Sequence, residues 1–169
     1  LTETDKVYFI KDIQYQRNTI NRIICYFDPK LFGFLSKYTI LRREKRGILQ
    51  SSQDISWLIS LDKQLFDIGR AIIEIKKKFL SEFQNFVSVS NKIFFDFEIK
   101  PSLGLIETDK FLENFQKDLS DENQWPNDHK LQSKHDPKKS VFEITHNQKN
   151  ISQLSSAQSK MLILSFLLS

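Results

Sequence analysis

Four glycines, four prolines and one cysteine are all the backbone punctuation and thiol chemistry in this 169-residue chain. So few Gly and Pro argue against a many-turn β architecture and for long helices. A single cysteine, Cys25, excludes a disulfide framework and a cysteine metal site. It reads as a small hydrophobe in a reducing compartment. Neither G-x-x-x-x-G-K-S/T nor G-x-G-x-x-G occurs, so the chain by itself cannot cradle a triphosphate. No Ser-His-Asp order and no carboxylate pair marks a reaction centre, and no catalytic residue is assigned. His129, His135 and His146, with Asp128 and Asp136 nearby, match no metal-ligand spacing, so no metal is assigned either. The first residues show no basic stretch leading into an apolar leader core. The final apolar run, from Met161, falls short of the ~20 residues a bilayer span needs. The chain opens on Leu1 and stops inside that run, which reads as a piece of a longer protein.

Apolar residues make up 40% of the chain and include 15 phenylalanines, enough for a core. The net charge of +4 is unevenly placed. Residues 1–53 carry ten Lys/Arg against five Asp/Glu, whereas 54–100 carry seven against seven and 101–169 eight against nine. The basic excess of the first third permits contact with a polyanion there.

Periodicity predicts the elements. Residues 7–10 suit a short strand, and 13–25 a helix with Ile13, Ile20, Ile23 and Ile24 on its apolar side. Asp28-Pro29 opens a second helix to about residue 49, Asp as N-cap and Pro at the first helical position. Its stripe is Leu31, Phe34, Tyr38, Leu41 and Ile48. Residues 51–54 break it and cap a third helix reaching about residue 88. Ile55, Leu58, Leu61, Leu65, Ile68, Ile72, Ile75 and Phe79 step along that helix by threes and fours as a coiled-coil-like seam. A seam so long needs a partner, and the short connection points to an antiparallel hairpin with the preceding helix. Residues 92–100 alternate as a strand ended by Pro101 and Gly104. Thr108 caps a short helix with Phe111, Leu112, Phe115 and Leu119 inward, residues 120–140 read as polar loop, and 140–145 suit another strand.

Three constellations carry candidate chemistry. Ser155-Ser156-Ala157-Gln158-Ser159-Lys160 is a small, hydroxyl-rich turn feeding an apolar helix. Such a turn presents N–H groups and hydroxyls to a phosphate, and Ser155-x-x-Gln158 is equally a capping box. Lys37 with Arg42, Arg43, Lys45 and Arg46 forms a basic helix end suited to phosphates or to the helix dipole. Lys76-Lys77-Lys78 points around its helix and reads as solvated surface.

The order of short motifs resembles the RecF family of DNA repair proteins. Leu1-Thr2, Phe9, Arg17, Ile20 and Asn21-Arg22 follow its Leu-Thr-Pro, Arg-Leu-Phe and Arg-rich stretch into Phe-Leu-Asp-Arg. Phe27-Asp28-Pro29 resembles its Phe-Asp-Pro, and Tyr38, Leu41-Arg42 and Glu44 resemble its Tyr-x-x-x-Leu-Arg-x-Glu. Trp57-Leu58 with Leu61 is similar to Trp-Leu-Asp-x-Leu, and Ile68, Gly69, Ala71 and Ile72 follow. Asp128-His129-Lys130 stands where the family has Gly-Pro-His-Arg-Ser-Asp, and Ser155 to Gln158 where the ABC signature reads Ser-x-Gly-Gln. Ala157 replaces the signature glycine.

The resemblance implies a mostly helical α+β fold, an antiparallel helical-hairpin arm plus a partial ABC-type ATPase head. Residues 1–27 would leave the head, 28–122 form the arm, and 123–169 return to the head with the signature helix. It implies ATP, with Mg through segments outside this chain, contacted by Ser155, Ser156, Gln158 and Lys160. It implies DNA, single- or double-stranded at gaps, contacted by Lys37, Arg42, Arg43, Lys45 and Arg46. It implies an ATP-dependent homodimer acting with RecO and RecR to load RecA in recombinational repair and the SOS response, in the cytoplasm and without a membrane. ATP hydrolysis would need a complete chain carrying Walker A and Walker B. The alternatives are a helical-hairpin interaction module with no nucleotide role, or a decayed remnant.

Overall fold

A computed structural model describes residues 12–51, 55–91, 97–124, 134–146 and 149–150. The expected strand at 7–10, the motif at Asp128-His129-Lys130 and the signature segment at 154–160 lie outside them.

Helix α1 spans Ile13–Phe27. Asp12 caps it, its carboxylate accepting from the Gln14 and Tyr15 amides at 2.8 and 3.2 Å. Asp28 serves two helices. Its amide donates to Ile24 O at the end of α1, and its carboxylate accepts from the Lys30 amide at 3.0 Å to open α2, Lys30–Ser51. Helix α3, Ile55–Asn91, has 37 residues and so extends roughly 55 Å.

The α2–α3 pair packs as the expected hairpin, and the seam holds with two shifts. Ile55 stands 72% exposed, outside the packed length. Beyond Ile72 the buried set runs Ile73, Lys76, Phe79, Leu80 and Phe83, while Ile75 is only half-buried. The seam thus turns about the helix as its partner changes from α2 to the C-terminal elements.

Those elements begin with β1, Phe97–Pro101, the short α4, Leu103–Ile106, and α5, Thr108–Gln124. Phe111, Leu112, Phe115 and Leu119 of α5 are buried as their spacing predicts. Thr108 is not the cap: the Glu107 carbonyl takes the first helical bond from the Phe111 amide, and Thr108 Oγ1 accepts from Lys77 Nζ at 3.1 Å. Strand β2, Phe142–His146, pairs antiparallel with β1 (Phe97 opposite His146, Pro101 opposite Phe142) and with β3, Lys149–Asn150. Together they form a three-stranded antiparallel sheet in sequence order.

Helix α5 lies across the hairpin through Phe115, whose ring meets Tyr38 and Phe66 with centroids 6.3 and 6.5 Å away. Gly69 makes that approach possible. A Cβ there would stand 2.6 Å from the Phe115 ring and 2.9 Å from the Pro137 side chain. Among the described residues no helix is long and apolar enough to cross a membrane.

Candidate functional site

Two lysines placed at the surface by sequence reasoning lie inside. Lys45 is 1% exposed. Its ammonium meets Asp62 Oδ1 of α3 at 2.5 Å and Leu119 O of α5 at 2.6 Å, with Glu122 at 3.5 Å. Beside it Arg42 forms a bidentate pair with Glu122, at 2.7 and 2.8 Å. Burial works against the Arg42 charge, but the hydrogen bonds and charge of Glu122 outweigh it and raise its pKa. Asn123 donates to the second oxygen of Asp62. One network therefore fastens α2, α3 and α5 from inside. Lys45 is corrected from a phosphate contact to an internal strut, and Arg42 presents its guanidinium mainly to Glu122.

Lys76 is fully buried. Its ammonium donates to Pro137 O, Lys138 O and Ser140 O at 2.9, 3.1 and 2.7 Å, which uses all three of its protons. The reading of 76–78 as a uniformly solvated run is thereby corrected. Burial pushes the Lys76 amine down to about 7, with the Asp136 charge opposing. The three carbonyls oppose it further, since only the ammonium can donate to all of them.

Lys76 thus pins residues 137–140 into a fixed turn. His135 adds a second anchor: Asp118 Oδ2 accepts from its amide and lies 3.0 Å from its Nδ1. His135 also packs edge-on to Phe111. A segment expected to be polar loop is therefore a structural wall. No group of three potential metal ligands forms among the described residues.

That wall, with α1 and α2, encloses a cleft of about 370 Å³. Its cations are Arg17 from α1, Arg42, Arg43 and Arg46 from α2, and Lys138 and Lys139 from the turn. Asp136 is its one carboxylate among the described residues. The turn's cations are partly engaged, Lys138 Nζ donating to Thr39 Oγ1 at 3.2 Å and Lys139 standing 3.9 Å from Asp136. Arg43 and Arg46 are exposed and make no ion pair among the described residues. Three lining atoms are buried without a hydrogen-bond partner among the described residues, Arg17 Nε, Asn21 Oδ1 and the Tyr38 hydroxyl. The Tyr38 hydroxyl is held as a neutral phenol, its pKa raised by burial and then by the Asp136 charge.

Of the five sequence-chosen cations, the structure gathers Arg42, Arg43 and Arg46 at this cleft, buries Lys45, and leaves Lys37 exposed outside the lining. Arg17, Lys138 and Lys139 were missed because they come from distant stretches. Ser155, Ser156, Gln158 and Lys160 lie outside the described residues. Cys25 is half-buried at the core's edge, its thiol pKa raised by burial.

No protein-family model matches the chain, and no curated protein matches it. Solved structures do. Two of the recombination mediator protein RecF in the RecFOR pathway, RecF-ATPrS and RecF-ATP, superpose with TM-scores of 0.72 and 0.73 at 18% and 19% identity. Each match covers 99% of this chain and 48% of the solved one, so the chain spans about half the length of those proteins. Across the described hairpin, cross-helix and sheet, this chain has a mostly helical α+β, RecF-like fold.

Proposed function

We propose that this chain is the arm and signature-bearing part of a RecF-like, ATP-binding DNA repair protein. The observation that carries the reading is the fold: 99% of the chain superposes on RecF, a recombination mediator solved with ATP. Residues 28–122 are the arm, while 1–27 and 123–169 belong to an ATPase head whose Walker A and Walker B lie elsewhere. Ser155, Ser156, Gln158 and Lys160 face ATP, with its Mg, held by the opposite subunit of an ATP-dependent homodimer. There a serine hydroxyl and a helix N-terminus stabilise γ-phosphate charge. Lys37, Arg43 and Arg46 approach the DNA backbone at gaps, beside the RecO and RecR partners that load RecA in the cytoplasm.

The test is Ser155→Arg in a complete protein carrying Walker A and Walker B. We expect ATP-dependent dimerisation, followed by sedimentation, to be lost. A variant that dimerises with ATP as wild type does would remove the signature assignment and leave the hairpin as an interaction module.

A further inference from the structure

We propose that the cleft between α1, α2 and the 134–140 turn is a binding site for a terminal phosphate, a phosphomonoester carried by a nucleic-acid strand end or by a free nucleotide. It draws on cations of the DNA reading but assigns them a different ligand, a chain end rather than a continuous backbone.

Three observations converge on it. The first is charge. Among the described residues six cations line the cleft against one carboxylate, with Arg42 neutralised by Glu122 at 2.7 Å and Lys139 only loosely paired with Asp136 at 3.9 Å. The excess suits an anion of more than one charge, and a phosphomonoester brings about −1.5 to −2 at neutral pH. A diester within a strand brings only one.

The second is unmet hydrogen bonding. Asn21 is 8% exposed, and its Oδ1 has no partner among the described residues. The Arg17 Nε–H is buried and equally without a partner among those residues. A buried donor and acceptor left unpaired each cost about 1–3 kcal/mol, so native walls seldom carry both without a ligand or water to meet them. Both residues line the cleft, where rotation of either side chain would let a phosphate oxygen accept from Arg17 and a phosphate or sugar hydroxyl donate to Asn21.

The third is shape. About 370 Å³ admits a phosphate with its sugar, not a duplex. The turn bearing Lys138 and Lys139 is also fixed beforehand, by Lys76 and by the Asp118–His135 contact. Little ordering is then left to do on binding.

The test uses short single-stranded DNA labelled at one end and carrying either a phosphate or a hydroxyl at the other. Anisotropy titration should show the phosphorylated strand binding about tenfold tighter, as loss of a charge-assisted contact set predicts. Inorganic phosphate or a nucleoside monophosphate should compete for that increment. A monophosphate that binds alone as tightly as the phosphorylated strand identifies free nucleotide as the ligand. Arg17→Gln should erase the increment, and so should Arg43→Gln with Lys139→Gln, two exposed sites whose variants keep the wild-type circular dichroism. Equal binding of both strands, or an increment that survives both variants, overturns the proposal. Salt-dependent binding without end preference would do so while leaving the DNA reading of the arm intact.

Discussion

Lys45 and its neighbours Arg43 and Arg46 belong to one basic run on α2, yet they face opposite sides of it. Lys45 turns inward, against Asp62, Glu122 and the Leu119 carbonyl. Arg43 and Arg46 turn outward, to the cleft and solvent. The α3 run divides likewise. Lys76 is buried on three carbonyls, whereas Lys77 and Lys78 are exposed, Lys78 standing 5.8 Å above the Phe27 ring. Charge density along a sequence therefore says little about which cations an outside anion can meet. Helical phase says more. Lys45 follows Tyr38 and Leu41 at seam spacing, and Lys76 stands between Ile72 and Phe79 in the same way.

Mutation on the inner side should have the largest effect. Lys45→Ala leaves Asp62 and Glu122 in the interior without their shared cation, and should cost about 3–5 kcal/mol in denaturant unfolding. Arg43→Ala, two residues away, should move stability by no more than ~0.5 kcal/mol. Equal costs would mean that the two faces are not distinct.

Lys76→Met should cost about 2–3 kcal/mol, because carbonyls at Pro137, Lys138 and Ser140 lose their donor. The effect should depend on pH. With the folded amine near 7 and the unfolded one at about 10.4, the unfolded chain holds more protons between those values. Wild type should then gain about 1.5 kcal/mol over Lys76→Met on going from about pH 7 to about pH 8.5. A flat difference would show that the three carbonyls hold the ammonium charged against burial.

Gly69→Ala should be milder. The added methyl meets the Phe115 ring and Pro137, an overpacking cost of about 1–3 kcal/mol, offset by roughly 1 kcal/mol of helix propensity. A net loss of about 1 kcal/mol is expected by thermal unfolding, and a stabilised variant would show that α5 is free to shift away.

Much of the fold was legible because local rules and burial agree. The α3 seam from Leu58 to Phe79, the Asp28 junction and the inward face of α5 follow from spacing and capping alone. The site was less legible, since its parts meet only in three dimensions. Arg17 and Lys138 lie over a hundred positions apart, and nothing near Arg42 announces Glu122 as its partner. The 134–140 turn looked unstructured because it is polar. Its order comes from Pro137 lodged at Gly69 and from Lys76, contacts invisible to a window of neighbours. The burial of Lys45 and Lys76 follows from helical phase, which places a lysine on a packed helix more surely than its charge does.

The salt dependence of DNA binding measures directly which cations an external polyanion can reach. Each phosphate contact removed should lower the magnitude of the slope of log affinity against log salt by about one. The Arg43→Gln, Arg46→Gln double variant should therefore lose about two from the wild-type slope, while Lys63→Gln on exposed α3 surface should leave it unchanged. A double variant with the wild-type slope would contradict the assignment of the outward face of α2 to DNA.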